Sequence, residues 1–205
     1  MQVSVVIVSY NVLELLTKCV DTLFKFTRGV EWELIVVDNN STDGSIDYLK
    51  KLEKEKGVKI ILSKENLGFS KGNNLGIKQA KGEYVFLLNP DTELVENSIP
   101  VMKKWMDEHA GYAVMSCQML DFEQKVSPTG GYSPNLFRMA MWSLFLDDLP
   151  LISKIVKSYH PHVTNVPWSE FFVDLPFVRF FMKPSGVRHE ISRCMHMIVS
   201  LTLTG

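Results

Sequence analysis

The sequence predicts an α/β protein built on a Rossmann-like, mostly parallel central sheet flanked by helices. Short apolar runs, typical of buried parallel strands, recur through the first half of the chain. Segments with apolar residues at helical spacing separate these runs, and this alternation is the pattern of a parallel βαβ sheet. The apolar runs stop abruptly at turn-forming polar residues, which is how such strands end.

The predicted elements alternate along the chain. They are strand 3–8, helix 12–26, strand 33–37, helix 44–55, strand 58–62, helix 70–80, strand 84–88, helix 95–109 and strand 112–117. Before the third helix, Gly68 can adopt a positive φ and Ser70 can cap the helix that follows. Residues 121–135 combine proline with paired glycine, which predicts a long loop of the substrate-binding or lid type.

Polar residues follow three of the predicted strands. Ser9-Tyr10-Asn11 end the first strand, Asp38 follows the second, and Asn89-Pro90-Asp91 end the run from Tyr84 to Leu88. Right-handed crossovers bring the carboxyl ends of parallel strands to one edge, where such sheets bind ligands, so we expect a shared nucleotide pocket. A carboxylate there can hold Mg²⁺ or Mn²⁺ against a substrate diphosphate. Taken alone, the Asn-Pro-Asp segment also fits a simple strand-ending turn.

Composition narrows the class of protein. The 205 residues suffice for one domain with a substantial core, and the net charge of −1 disfavours nucleic-acid binding. Three widely spaced cysteines predict reduced thiols in a cytosolic protein, and no signal peptide is expected because Met1 leads directly into a strand. The apolar run from Met139 to Leu146 is too short to span a bilayer. It favours a buried or interface helix over a patch that contacts a membrane or a lipid-linked acceptor.

Three other polar residues allow two interpretations each. Lys71 lies in the first turn of a predicted helix, where a cation is unfavourable for the helix dipole. Contact with a phosphate and simple solvent exposure both account for it. His160 and His162 have the spacing of a metal-binding pair on a strand, but no carboxylate or cysteine accompanies them, which favours surface or packing roles.

Four ordered motifs together resemble the inverting family 2 glycosyltransferases of the GT-A fold. They are Val-Ser-Val-Val-Ile-Val-Ser-Tyr-Asn (3–11), Ile-Val-Val-Asp-Asn-Asn-Ser-Thr-Asp-Gly (35–44), Asn-Leu-Gly-Phe-Ser-Lys-Gly-Asn-Asn (66–74) and Leu-Leu-Asn-Pro-Asp-Thr (87–92). The resemblance covers roughly residues 1–145. The Asn-Pro-Asp-Thr form is similar to the rhamnosyltransferase-like branch that builds bacterial surface polysaccharides. The resemblance implies a nucleotide-diphospho-sugar transferase fold.

The resemblance also implies roles for individual residues. Ser9 and Tyr10 would line the base pocket, and Asp38 would hydrogen-bond the base. Asp91 would be the ligand of Mg²⁺ or Mn²⁺, with Asn89 in place of the first acidic residue of the family's Asp-X-Asp motif. The full nucleotide-binding set that it implies is Ser9, Tyr10, Asn11, Asp38, Asn40, Asn66, Gly68, Lys71 and Asn89.

The sequence departs from the family late in the chain. The acidic segment that supplies the family's general base, and the Trp and Gly-Gly motifs before it, are not recognisable. Glu170, Asp174 and Glu190 are the remaining candidates for the base. We expect residues 1–120 to form the nucleotide-sugar-binding half and 121–205 an acceptor-side half. Its tail from about residue 173 is interpreted as truncated or frame-shifted, with a divergent tail as the alternative.

The leading hypothesis is therefore a bacterial glycosyltransferase of cell-surface polysaccharide synthesis. Its donor would be a dTDP- or UDP-sugar, with dTDP-rhamnose as a candidate, and its acceptor a saccharide or lipid-linked saccharide. A nucleotide-sugar-binding protein without transferase activity is the alternative. A Rossmann-type dehydrogenase is disfavoured because no G-x-G-x-x-G follows the first strand. We expect a cytoplasmic location or the inner face of the membrane, with peripheral membrane contact. Unless the tail phenylalanines pack on the sheet, self-association in a homodimer should bury them; they are Phe171, Phe172, Phe177, Phe180 and Phe181.

Overall fold

The computed structural model describes residues 1–109 without interruption and, beyond them, several short segments. These are residues 114–115, 117, 119–120, 126–127, 130–132, 171–173 and 181–182. The chain divides into two compact units. The first comprises Met1–Cys117 with Arg179–Ser192, and the second comprises Gln118–Val178 with Arg193–Gly205.

The first unit alternates strands and helices as predicted. Its strands are β1 (Val3–Ser9), β2 (Trp32–Asp38), β3 (Val58–Leu62), β4 (Tyr84–Leu88), β5 (Val114–Met115) and β10 (Phe181–Met182), and its helices are α1 (Leu13–Phe26), α2 (Ser45–Leu52), α3 (Gly68–Ile77) and α4 (Ser98–Glu108). The described strands of the second unit are β6 (Met119–Leu120), β7 (Val126–Ser127), β8 (Gly130–Tyr132) and β9 (Phe171–Val173). Strand β6 pairs with β7 and β8 pairs with β9, both antiparallel.

The sheet of the first unit has the order β3-β2-β1-β4-β10-β5. Strands β3, β2, β1 and β4 are mutually parallel, whereas β10 runs antiparallel to both β4 and β5. The predicted mostly parallel sheet is confirmed. Ser9 is in register with Asp38, and Ile7 with Leu88, so the carboxyl ends of three strands lie along one edge.

The core packs the helices against the central strands. Every residue of β4 is buried, as is the amphipathic face of α1 formed by Leu16, Cys19, Val20 and Leu23. Helix α3 approaches the sheet closely because Gly72 has no side chain. A Cβ atom at Gly72 would lie 2.8 Å from Cγ1 of Val8. The absence of a side chain at Gly72 therefore allows α3 to pack closely against the end of β1, at the edge where the parallel strands end. Across the described residues, no helix is both long and apolar enough to cross a bilayer.

Two predicted helix starts are corrected. Helix α4 begins at Ser98 rather than residue 95, because an earlier start would place Pro100 in the second turn, where its missing N–H and its ring disrupt a helix. Helix α3 begins at Gly68 rather than residue 70. Ser70 lies inside the helix and does not cap it; instead, the Asn66 side-chain oxygen accepts a hydrogen bond from Gly68 N at 2.9 Å.

Other predicted boundaries also change. Helix α2 ends at Leu52, three residues early, because turns lead from there to Gly57, whose φ is +83°. The predicted strand 112–117 is described as strand only over Val114–Met115. The predicted loop 121–135 contains β7 and β8. These strands are two and three residues long, too short to show the apolar alternation that identifies a strand in a sequence.

Candidate functional site

The ends of β1 and β2 form the rigid floor of the candidate site. Ser9 and Asp38 are neighbours in register and both are completely buried. The ladder continues beyond them, because Asn39 N donates to Ser9 O at 2.8 Å and Ser63 N donates to Asp38 O at 2.9 Å. Backbone hydrogen bonds on both sides fix these two side chains at the ligand-binding edge of the sheet.

Buried oxygen atoms at this floor lack partners. Asp38 Oδ2 accepts a hydrogen bond from Ser41 N at 2.9 Å. Asp38 Oδ1, Ser9 Oγ and Asn39 Oδ1 are buried and have no hydrogen-bond partner among the residues that the structure describes. Buried polar atoms are paired in the great majority of cases, so each exception needs an explanation. Adjacent acceptors of this kind can receive the N–H groups of a ligand.

Hydrogen bonds between polar residues join the loops after β1 and β2. Asn11 has a φ of +51°, and its side-chain oxygen accepts a hydrogen bond from Thr42 N at 2.7 Å. In return, Asn11 N donates to Ser41 Oγ at 2.9 Å. Tyr10 precedes this contact and is 47% exposed, although it is a large aromatic residue. An aromatic ring left exposed beside buried acceptors provides a surface on which a planar ligand can stack.

Asn39 is a site residue that the sequence analysis missed. The resemblance implies Asn40 instead, which is exposed and has a φ of +68°, a conformation that asparagine tolerates better than most residues. Asn39 is buried instead, and its Nδ2 donates to Gly68 O at 3.3 Å. The position of Asn39 directly after Asp38 could have indicated its burial, because the β-ladder continues for one residue beyond the strand. A binding role for Asn40 stays a prediction.

The start of α3 lies next to Asn39, at the end of β2. Asn66 holds Gly68 in place, Gly68 has a φ of +73°, and its carbonyl receives the Asn39 amide. Lys71 lies in the first turn of this helix and is exposed. The helix N-terminus and the Lys71 ammonium group are both positively charged, which favours an anion at this end.

A turn follows β4 at the same edge. Thr92 N donates to Asn89 O at 3.2 Å and closes the turn around Pro90 and Asp91. Proline suits the second position of such a turn because its φ is already set. Asn89 is half-buried and Asp91 is exposed. Within the described part of the chain, the Asp91 carboxylate makes no hydrogen bond or ion pair, so it is available to a ligand.

The donor set fits a divalent cation shared with a substrate. Among the described residues, no group of three or more His, Cys, Asp or Glu side chains comes together. Mg²⁺ is usually held by one or two carboxylates and the phosphates of its substrate rather than by a cage of protein ligands. A single exposed carboxylate at Asp91, beside an edge suited to a nucleotide, meets that requirement.

Asp43 completes the site by fixing the start of α1. Its Oδ2 accepts from Leu13 N at 2.8 Å, and its Oδ1 accepts from Ser45 N at 3.1 Å and from Ser45 Oγ at 2.6 Å. Burial raises the pKa of the Asp43 carboxyl, but the hydrogen bonds from Ser45 and Leu13 outweigh it, so the pKa is lowered overall. An open depression of about 680 Å³ lies over this part of α1, between Asn11 and Lys18.

Several predicted residues lie outside the described residues. They are the base candidates Glu170, Asp174 and Glu190, the histidines His160 and His162, and the apolar run Met139 to Leu146. The described site therefore consists of the nucleotide-binding candidates and Asp91, all of them in the first unit.

Comparison with known proteins identifies relatives in cell-wall synthesis. The chain is 29% identical over 121 residues to the putative teichuronic acid biosynthesis glycosyltransferase TuaG of Bacillus subtilis, covering 56% of this chain and 48% of the relative. It is 30% identical over 112 residues to the poly(ribitol-phosphate) beta-N-acetylglucosaminyltransferase TarS of Staphylococcus aureus, covering 53% of this chain and 19% of TarS. The chain thus spans half or less of the length of these relatives.

Solved structures have the same fold. The crystal structure of residues 1–349 of S. aureus TarS is similar with a TM-score of 0.56 and 25% identity, over 66% of this chain and 42% of that one. The mannosyltransferase PcManGT of Pyrobaculum calidifontis shares the fold, with a TM-score of 0.52 and 20% identity over 58% of this chain and 36% of that one. A sequence model of Glycosyl transferase family 2 matches residues 4–149, which is most of the chain. Because that match includes every strand and loop that builds the site, the chain belongs to glycosyl transferase family 2.

Proposed function

We propose that this chain is a glycosyltransferase that moves a sugar from a nucleoside diphosphate donor to a saccharide or lipid-linked saccharide, with inversion at the anomeric carbon. The observation that carries the proposal is one juxtaposition at the edge of the sheet. At the ends of β1 and β2 lie buried oxygens of Ser9, Asp38 and Asn39 that have no hydrogen-bond partner among the described residues, and the exposed Asp91 carboxylate follows β4. The first group suits a base and the second suits a metal-bound diphosphate.

In this proposal the base binds over the floor of the site. Asp38 Oδ1 accepts the ring N–H of a uracil or thymine, which is a charge-assisted hydrogen bond in a buried position. Ser9 and Tyr10 line the same pocket, with the Tyr10 ring against the face of the base. The bonds between Asn11 and Thr42 support this arrangement, because they hold the two loops at a fixed separation.

The diphosphate then lies between α3 and the turn after β4. Asn66 and Gly68 shape the start of α3, where Lys71 offers a cation, and Asn89 and Asp91 offer oxygen ligands on the other side. Asp91 would hold a Mg²⁺ or Mn²⁺ ion, which would neutralise the charge that develops on the leaving diphosphate. Asn40, in the loop after β2, would contact the nucleotide.

The transfer itself is a single displacement. The acceptor hydroxyl oxygen attacks the anomeric carbon, the bond to the diphosphate oxygen breaks with its electron pair, and a carboxylate takes the hydroxyl proton. The acidic segment that supplies this carboxylate in the family is not recognisable in the sequence, and Glu170, Asp174 and Glu190 are the weak candidates that could substitute for it. We assign them to an acceptor-side half, residues 121–205, and assign nucleotide-sugar binding to residues 1–120.

Two observations bear on the identity of the donor sugar, and they favour different donors. The Asn-Pro-Asp-Thr form favours the rhamnosyltransferase-like branch and a dTDP-rhamnose donor. Relatives named for the transfer of N-acetylglucosamine or glucose to poly(ribitol phosphate), and a TarS structure in complex with UDP-GlcNAc, favour a UDP-sugar. Both point to polysaccharide synthesis at the cell surface. A lipid-linked acceptor would bring the protein to the inner face of the membrane as a peripheral enzyme. Tail phenylalanines that do not pack on the sheet would be buried by self-association, which would give a homodimer.

The proposal is tested by calorimetry with UDP and dTDP, each with and without Mn²⁺. We expect one of them to bind more tightly with Mn²⁺ and to raise the melting temperature, with about 2.7 kcal/mol of stabilisation at a hundredfold excess over the dissociation constant. NAD and GDP serve as controls and should have no effect. Stabilisation by NAD alone would contradict the proposal. Binding of UDP or dTDP without any sugar transfer would instead support the alternative of a binding protein that lacks transferase activity.

A further inference from the structure

Helix α1 holds the loop between β4 and α4 at both ends of the segment that contains Asp91. The Cys19 thiol donates to Asn89 O at 3.5 Å. Three residues further along α1, and therefore on the same face of the helix, Thr22 Oγ1 accepts from Leu94 N at 3.0 Å. Both contacts reach the backbone of the loop, one on each side of Asp91.

A second hydrogen bond fixes the orientation of the Thr22 side chain. Its hydroxyl donates to Cys19 O at 3.0 Å, which orients its lone pair toward Leu94 N. Cys19 is completely buried, and Leu94 is 6% exposed. A third contact continues this line at the end of α1, where Arg28 and Asn97 exchange hydrogen bonds of 3.1 Å in both directions. Helix α1 and the residues that follow it thus hold the loop at Asn89, Leu94 and Asn97.

Asp91 depends on this support. Within the described part of the chain its carboxylate has no hydrogen bond or ion pair that could orient it. Its position is therefore set by the backbone of the turn alone, which α1 anchors at Asn89 and Leu94. Groups that orient a metal ligand from behind typically contribute 10- to 100-fold to metal affinity.

We propose that Cys19 and Thr22 are positioning residues, which hold the Asn89–Leu94 loop so that Asp91 can share a divalent cation with the donor diphosphate. This inference rests on the proposed function. It goes beyond that function because it assigns roles to two residues of α1 that are not among the proposed ligands of the donor or the metal. It also predicts a specific defect, in the affinity for the metal rather than in the affinity for the nucleotide.

The test compares Thr22→Val with two matched variants. Thr22→Ser keeps the hydroxyl, whereas Thr17→Val removes a threonine hydroxyl of the same helix that donates to Leu13 O at 2.8 Å. Mn²⁺ affinity is measured by electron paramagnetic resonance of free Mn²⁺, with the protein saturated by UDP or dTDP, whichever binds the unsubstituted chain more tightly. Hydrogen exchange of the Leu94 amide in the nucleotide-free protein reports on the anchor itself.

We expect Thr22→Val to weaken Mn²⁺ binding by about 10-fold or more, to speed exchange at Leu94, and to leave metal-free nucleotide affinity unchanged. Thr22→Ser and Thr17→Val should behave like the unsubstituted chain. Should Thr22→Val fail to fold, Cys19→Ala, which removes only the thiol, is expected to weaken Mn²⁺ binding in the same way. Unchanged Mn²⁺ affinity in a folded variant would overturn the inference alone. If the unsubstituted chain shows no Mn²⁺-dependent binding of UDP or dTDP, the proposed function is overturned and this inference with it.

Discussion

At the scale of single residues, the two oxygens of the Asp38 carboxylate have different environments and therefore different roles. Oδ2 satisfies Ser41 N within the loop, whereas Oδ1 is buried without a partner among the described residues. One oxygen therefore maintains the shape of the loop and the other is left for a ligand. A substitution that keeps the shape but removes the charge can separate these two tasks.

We predict that Asp38→Asn weakens UDP or dTDP binding by about 1.5–3 kcal/mol, because a buried, charge-assisted hydrogen bond to the base is lost. Calorimetry measures this loss. Asp47→Asn is the matched control, since Asp47 is an exposed carboxylate on α2. Unchanged affinity in a folded Asp38→Asn protein would show that the base does not bind at Oδ1.

Asp91 allows a second residue-scale prediction. Because the side chain is exposed, Asp91→Ala should leave the free energy of unfolding within about 0.5 kcal/mol of the unsubstituted value while abolishing the gain in nucleotide affinity that Mn²⁺ provides. Titrations with UDP or dTDP, with and without Mn²⁺, measure that gain. Glu93→Ala removes an exposed carboxylate two residues away and should retain it. If Mn²⁺ strengthens binding equally in Asp91→Ala and Glu93→Ala, Asp91 is not the ligand.

At the scale of elements, the sequence predicts best what depends on local pattern. Strand β4 was predicted with its exact bounds because five consecutive apolar residues precede a turn. The hydrogen bond from Asn39 to Gly68 and the anchoring of Asn89 by Cys19 could not be predicted, because they join residues that lie far apart in the chain. The sequence therefore locates the strand ends that form the site but not the contacts that hold its loops.

Asp43 links two elements and gives a pH-dependent prediction. It fixes the start of α1 from the loop after β2, and its pKa is lowered in the folded state. The unfolded state then binds the proton more tightly, so the stability that Asp43 provides is present above its unfolded pKa and is lost as the pH falls through the folded value.

We therefore predict that Asp43→Ala lowers the free energy of unfolding at pH 7 by about 1 kcal/mol, as loss of a capping residue does. Urea denaturation at several pH values between 7 and 3 measures the difference from the unsubstituted protein. That difference should shrink as the pH falls below the ordinary aspartate pKa. A difference that stays constant down to pH 3 would mean that the carboxylate charge is not what stabilises α1.

At the scale of the whole molecule, the family and the mostly parallel sheet followed from the ordered motifs of the first 92 residues, and both are confirmed. The later part of the chain was less predictable. Strand β10 lies between β4 and β5, a long-range antiparallel pairing of two residues that no periodicity in the sequence signals. The candidates for the general base lie outside the described residues, so their assignment stays a prediction.

The last prediction concerns turnover by the 205-residue chain. We expect the donor to bind with Mn²⁺ and sugar transfer to be slow, because the sequence after residue 173 lacks the family's acidic base segment. Complete absence of transfer would favour the alternative of a nucleotide-sugar-binding protein without transferase activity. A missing general base typically lowers the rate about 10²- to 10⁴-fold. Release of the nucleoside diphosphate in the presence of a poly(ribitol phosphate) or lipid-linked acceptor measures the rate. Glu170→Gln, Asp174→Asn and Glu190→Gln, made singly, should each leave the residual rate unchanged. Fast transfer that one of these three substitutions abolishes would identify that carboxylate as the base and show that the tail is a catalytic segment.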